Sequence, residues 1–156
     1  MVDLQETRFL VDSMLGRLAK WLRVMGFYAH YQPFYREGEI NRLVHDGMLL
    51  LSRRRAITEQ YKNSLLIDSD KVKWQLQELR DTGYINQQDR TKWFTRCLAC
   101  NIPLKEISAK DARENIPEYI YYRDKKGIHY CPSCSRHFWP GSHRDHMIRQ
   151  LEEWGF

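Results

Sequence analysis

Beyond Arg8, apolar residues come first as an unbroken run and then at helical spacing. Phe9-Leu10-Val11 stops at Asp12, after which Leu15, Leu18, Ala19, Leu22 and Met25 fall on one face of a helix. The change of period predicts a strand followed by a helix. The opposite face carries Arg17, Lys20 and Arg23, and Gly26 stands where a C-terminal cap would. Phe27, Ala29 and Tyr31 then alternate with Tyr28 and His30, which predicts a second short strand.

The same alternation of periods continues. Glu39 opens a helical stretch with Ile40, Leu43 and Val44 inward, closed by Gly47 before the apolar run Met48-Leu49-Leu50-Leu51. A strand apolar throughout is what a parallel sheet covered on both faces requires. Ser52-Arg53-Arg54-Arg55 follows, then a predicted helix up to Asn63, a buried strand Leu65-Leu66-Ile67 ending at Asp68-Ser69-Asp70, and a helix through Val72, Leu76 and Leu79 that stops near Gly83. This is a β-α-β order and predicts an α/β fold. The polar stretch from Tyr84 to Lys92 reads as a linker, dividing the chain into domains at residues 1–90 and 91–156. Within the second, a cysteine-bearing module spans 94–140, and a closing helix from His143 to Trp154 has Met147, Ile148 and Leu151 inward.

Composition narrows the class. A chain of 156 residues with 13% aromatic and 42% hydrophobic residues has the means to build a core, which excludes disordered and low-complexity readings. No run approaches the roughly 18 apolar residues of a membrane span. The opening Met1-Val2-Asp3-Leu4-Gln5-Glu6 lacks the basic start and apolar centre of a signal peptide, so a cytoplasmic chain is expected. The net charge of +5 is shared by both halves and makes nucleic acid a natural partner.

All four cysteines fall into one pattern: Cys97 and Cys100, then Cys131 and Cys134, each pair spaced C-x2-C. In a reducing compartment such pairs are better explained by tetrahedral thiolate ligation of structural zinc than by disulfides. His129, His137, His143 and His146 lie around the second pair, but four thiolates already complete a tetrahedron, so they are expected nearby or at the surface, with His143 a candidate RNA contact. Tyr121, Tyr122, Tyr130, Phe138 and Trp139 interleave with Arg123, Lys125, Lys126 and Arg136. That mixture suits base stacking with phosphate contacts, or equally a small module's own core.

Open α/β sheets bind ligands beyond the carboxyl ends of their strands. Asp12, the Ser52 to Arg55 run, and Asp68 with Asp70 all follow predicted strands, so carboxylates from distant parts of the chain can converge on one crevice. Oxygen ligands of that kind suit Mg²⁺ or Mn²⁺. Helix capping is the alternative role for Asp12, Asp68 and Asp70.

The residues from Phe9 to Phe27, FLVDSMLGRLAKWLRVMGF, resemble the opening of the Mut-seven C-terminal RNase domain, a PIN-like nuclease family. Arg96-Cys97-Leu98-Ala99-Cys100-Asn101, Tyr130-Cys131-Pro132-Ser133-Cys134 and Phe138-Trp139-Pro140-Gly141-Ser142-His143 resemble the zinc ribbon that follows it. The resemblance implies a PIN-like parallel sheet flanked by helices, a C-terminal zinc ribbon, and metal-dependent hydrolysis of RNA phosphodiesters. It puts the first acidic ligand at Asp12 and the second at Glu39, with Glu37 as the alternative. Where the family has Thr-Arg-Asp after the third strand, this chain has Ser52-Arg53-Arg54. A guanidinium cannot coordinate a cation. Two readings follow. In one, Asp12, Glu39 and Asp68 or Asp70 hold an ion while Arg54 clamps the scissile phosphate. In the other, Arg53, Arg54 and Arg55 form a phosphate-binding surface on an RNA-binding or ribonucleoprotein-associated adaptor, with Arg17, Lys20 and Arg23 as a further basic stripe.

Overall fold

The computed structural model describes residues 7–85, 89–123 and 126–156. The opening Met1 to Glu6, the linker residues Asn86, Gln87 and Gln88, and Lys125 lie outside the described residues. The chain forms two compact units, Met1–Asn101 and Ile102–Phe156.

The first unit is built on four parallel strands, β1 (Phe9–Val11), β2 (Ala29–Tyr31), β3 (Leu49–Ser52) and β4 (Ser64–Leu66). They lie in the order β2-β1-β3-β4. β1 and β3 are the inner pair, in register Val11 to Leu51, and every residue of both is buried. That is why these two runs are apolar without alternation. Four helices belong to this sheet: α1 (Gly16–Val24), α2 (Glu39–His45), α3 (Arg55–Thr58) and α4 (Val72–Asp81). Leu10 and Leu50 join Leu43 of α2 in a cluster that Ile40, Val44 and Ile57 complete. The intervening Phe9, Val11, Leu49 and Leu51 face the other way by strand geometry, and α1 packs against β1, β2 and α4. Helices thus flank a parallel sheet, as the patterning predicts.

One predicted element is shorter than expected. The helix expected up to Asn63 ends at Thr58. Ser64 Oγ lies within hydrogen-bond distance of the carbonyls of Thr58 and Tyr61, which share its one proton, and Asn63 Nδ2 donates to Met48 O. Local side-chain bonds of this kind compete with helical ones and turn the chain into β4.

Gly26 ends α1 in a left-handed conformation, φ +90°, as its position after the last apolar residue suggests. A Cβ there would also meet Lys92 O at 2.4 Å, so both conformation and space require glycine.

The second unit holds an antiparallel sheet of β5 (Lys105–Glu106), β6 (His129–Tyr130) and β7 (His137–Phe138). Its core is Ala109, Ala112, Ile116, Ile120 and Ile128, against which Tyr121 and Trp139 pack. Two helices within it, α5 (Ala109–Ala112) and α6 (Glu118–Arg123), have no counterpart in the patterning, being too short to show a full helical period. The closing helix α7 (Ser142–Glu153) buries Met147 and Leu151. Among the described residues, no helix is long and apolar enough to cross a membrane.

Candidate functional site

β1 leads to β2 on one side of the sheet and β3 lies on the other, so a crevice opens beyond the carboxyl ends of β1 and β3. It encloses about 640 Å³. Asp12, Ser13 and Met14 line it from the end of β1, Phe34 to Gly38 from the loop before α2, Ile40 and Asn41 from α2, and Arg54, Ile57 and Tyr61 from the segment after β3. Two phenols fix the loop. Tyr35 Oη donates to Val11 O at 2.7 Å and accepts from Gln32 N at 3.1 Å, while Tyr31 Oη donates to Ser13 O at 3.0 Å. Burial pushes the Tyr35 hydroxyl well above the ordinary phenol range, so it remains a donor.

Asp12 sits at the floor, 1% exposed. Its Oδ1 accepts from Ser13 N at 2.8 Å and from Arg54 Nη2 at 3.1 Å. Its Oδ2 accepts from Ser52 Oγ at 2.5 Å and from Arg54 Nε at 3.0 Å. Ser52 Oγ in turn accepts from Arg54 N, which sets where the arginine leaves the strand. Asp12 thus caps the turn after β1 through Oδ1 and also lines the crevice. Each carboxylate oxygen holds two bonds, and a guanidinium fork covers the face a cation would approach. As folded here, these residues do not fit Mg²⁺ or Mn²⁺.

The other acidic candidates are placed apart. Glu39, half-buried, opens α2 and accepts from Arg36 N at 2.6 Å. Glu37, exposed, is the second carboxylate that lines the crevice. Asp68 and Asp70 are exposed beyond the edge strand β4 and do not line it; the Glu78 carboxylate holds the backbone N–H groups of Asp68 and Ser69. Among the described residues, the four cysteines are the cluster of three or more ligand-type groups that could hold a metal ion.

Those four sulfurs lie within 4.8 Å of one another. A tetrahedron with zinc–sulfur bonds of about 2.3 Å needs sulfurs about 3.8 Å apart, so the donors fit zinc. In each pair the second cysteine's backbone N–H points at the first sulfur, Cys100 N to Cys97 Sγ at 3.4 Å and Cys134 N to Cys131 Sγ at 3.5 Å. Cys97 and Cys131 are buried. The histidines stand outside this set: His129 Nδ1 meets Gly127 O, His137 stacks near Tyr130, and His143 and His146 are exposed on α7.

Arg23, expected beside Arg17 and Lys20 on a basic stripe, is buried instead. It is 8% exposed, with Nε donating to Ala29 O at 2.9 Å and Nη1 to Leu98 O at 2.8 Å and Ala99 O at 3.3 Å. Burial lowers its pKa, partly opposed by negative charge on the Cys97 and Cys100 sulfurs. Buried Asn101, at φ +63°, adds a second tie by accepting from Ala29 N. The first cysteine pair is thus bonded to α1 and β2, which neither spacing nor charge pattern announces. Arg17 and Lys20 are exposed on α1, as are Arg53 and Arg55 around β3's end, where Arg53 Nη2 donates to Asp68 O. Of the aromatics, Tyr122 is exposed, Tyr121 and Trp139 serve the core, and Tyr130 and Phe138 are half-buried in strands.

A model of the Mut7-C RNAse domain family matches residues 7–151. No curated protein and no solved structure matches the chain.

Proposed function

Because the chain belongs to the Mut7-C RNAse domain family, we propose that it acts on RNA by binding it, through a nuclease-type fold that does not hydrolyse it. The observation that carries this reading is the Asp12 carboxylate, buried and held by the Arg54 fork. An ionised aspartate aimed at a cation is the working group of an acidic nuclease pocket. Here its charge is already matched. The net charge of +5 and the exposed Arg17, Lys20, Arg53 and Arg55 support phosphate contacts along the RNA. A structural zinc at the cysteines would order the ribbon, which could then contact RNA through Tyr122, Arg123 and His143. The domain limits proposed are 1–90 and 91–156.

A second reading, metal-dependent hydrolysis of RNA phosphodiesters, is favoured by Glu37 in the crevice and Glu39 close by. Zinc-loaded protein incubated with labelled single-stranded RNAs, with and without Mg²⁺ or Mn²⁺, separates the two. Binding without new fragments is expected. Divalent-dependent fragments that vanish in Asp12→Asn would establish the hydrolase instead, and the absence of any RNA binding would remove the RNA reading altogether.

A further inference from the structure

A guanidinium carries five N–H donors in a fixed planar fork. In Arg54, Nε and Nη2 engage Asp12, while Nη1 has no partner among the described residues and the side chain is 53% exposed. The buried carboxylate therefore anchors one edge of the fork and leaves Nη1 unengaged on a side chain that lines the crevice. Arg36 lines the same space, and its side chain too has no partner among the described residues. Apolar side chains share the walls: Phe34 is 74% exposed and Met14 47%, and Ile57 and Tyr61 are also in the lining. An aromatic face beside unengaged guanidinium donors is how single-stranded nucleic acid is held, base on ring and phosphate on cation. The volume of about 640 Å³ lies in the range of small-ligand sites.

We infer that Arg54 takes over the role of the cation, so that the crevice seats one nucleotide of single-stranded RNA without a divalent ion, its phosphate on the outer edge of the Arg54 fork and its base on Phe34. This rests on the RNA-binding reading and adds the place and the chemistry. The charges bear on which phosphate. Asp12 and Glu37 offset Arg36 and Arg54, leaving the crevice without the excess positive charge that a dianionic terminal phosphate would call for. An internal, singly charged phosphodiester is the better match.

The test uses zinc-loaded full-length protein and a short fluorescent oligouridylate, with binding read by anisotropy. Wild type should bind equally well in buffer free of divalent ions and in buffer with Mg²⁺, and a 5′-phosphate on the oligonucleotide should add nothing. Arg54→Lys, which keeps the charge but loses the fork, and Phe34→Ala should each weaken binding about tenfold. Phe34 is exposed, so its variant remains informative even if Arg54→Lys folds poorly. A requirement for Mg²⁺, a gain from the 5′-phosphate, or Phe34→Ala binding like wild type would overturn the inference while leaving RNA binding itself in place. Failure of wild type to bind RNA under any of these conditions would instead overturn the reading beneath it.

Discussion

Asp12 caps a turn through Oδ1 and closes an ion pair with Arg54 through both carboxylate oxygens. The loss of a cap alone costs about 1 kcal/mol. Asp12→Asn keeps a capping oxygen but removes the charge that meets Arg54 and leaves a buried amide beside Ser52, so a loss of about 2 kcal/mol in urea denaturation is expected. His30 supplies a second residue-level prediction. Burial, and then the positive charge of Arg23, lower its pKa from the ordinary 6.5. The unfolded chain therefore takes up a proton at His30 before the folded chain does, and stability contributed above pH 6.5 is lost as the pH falls toward the folded value. Between about pH 6.5 and pH 5 the thermal midpoint of wild type should drop more steeply than that of His30→Asn. Equal slopes would show that His30 does not titrate differently on folding.

At the scale of elements, α1 does more than cover the sheet. Its end is closed by Gly26 against Lys92, and its Arg23 holds the Leu98 and Ala99 carbonyls of the first cysteine pair. Gly26→Ala forces a left-handed residue and a backbone collision together, and should cost about 2 to 3 kcal/mol by denaturation. Arg23→Met should be comparably damaging, about 3 kcal/mol, because it leaves the Ala29 and Leu98 carbonyls without their donor. If Arg23→Met were nearly neutral, those bonds would not be holding the loop. The strands and the long helices were legible because their apolar periods are long enough to read. The end of α3 was not, since Ser64 and Asn63 act through bonds to specific carbonyls.

For the molecule as a whole, metal and charge set the expected behaviour. Metal analysis of protein purified without chelator should find about one zinc per chain. Cys131→Ser or a strong chelator should open residues 94–140 to proteolysis, because metal binding and folding are linked in so small a module. Protein with no zinc, yet protected across that segment, would refute a structural metal. RNA affinity should fall with salt, and Arg17→Gln with Lys20→Gln should flatten the log–log slope by about 0.7 for each phosphate that is no longer neutralised.

The sequence by itself determined the β-α-β order, the inner strands, the glycine stop after α1 and the four thiolate donors, because each is written as a local period, a cap or a fixed spacing. It also offered Asp12, Glu39, Asp68 and Asp70 as acidic candidates, and the family resemblance drew attention to Arg54. Only the tertiary structure decided what Asp12 and Arg54 do. Forty-two residues apart in the chain, they meet because β1 and β3 are neighbours in register, and a pairing made by sheet order leaves no period to read. The same reason hid Arg23, whose place in the basic stripe of α1 gave no sign that the carbonyls after Cys97, seventy-five residues on, would take its charge into the interior.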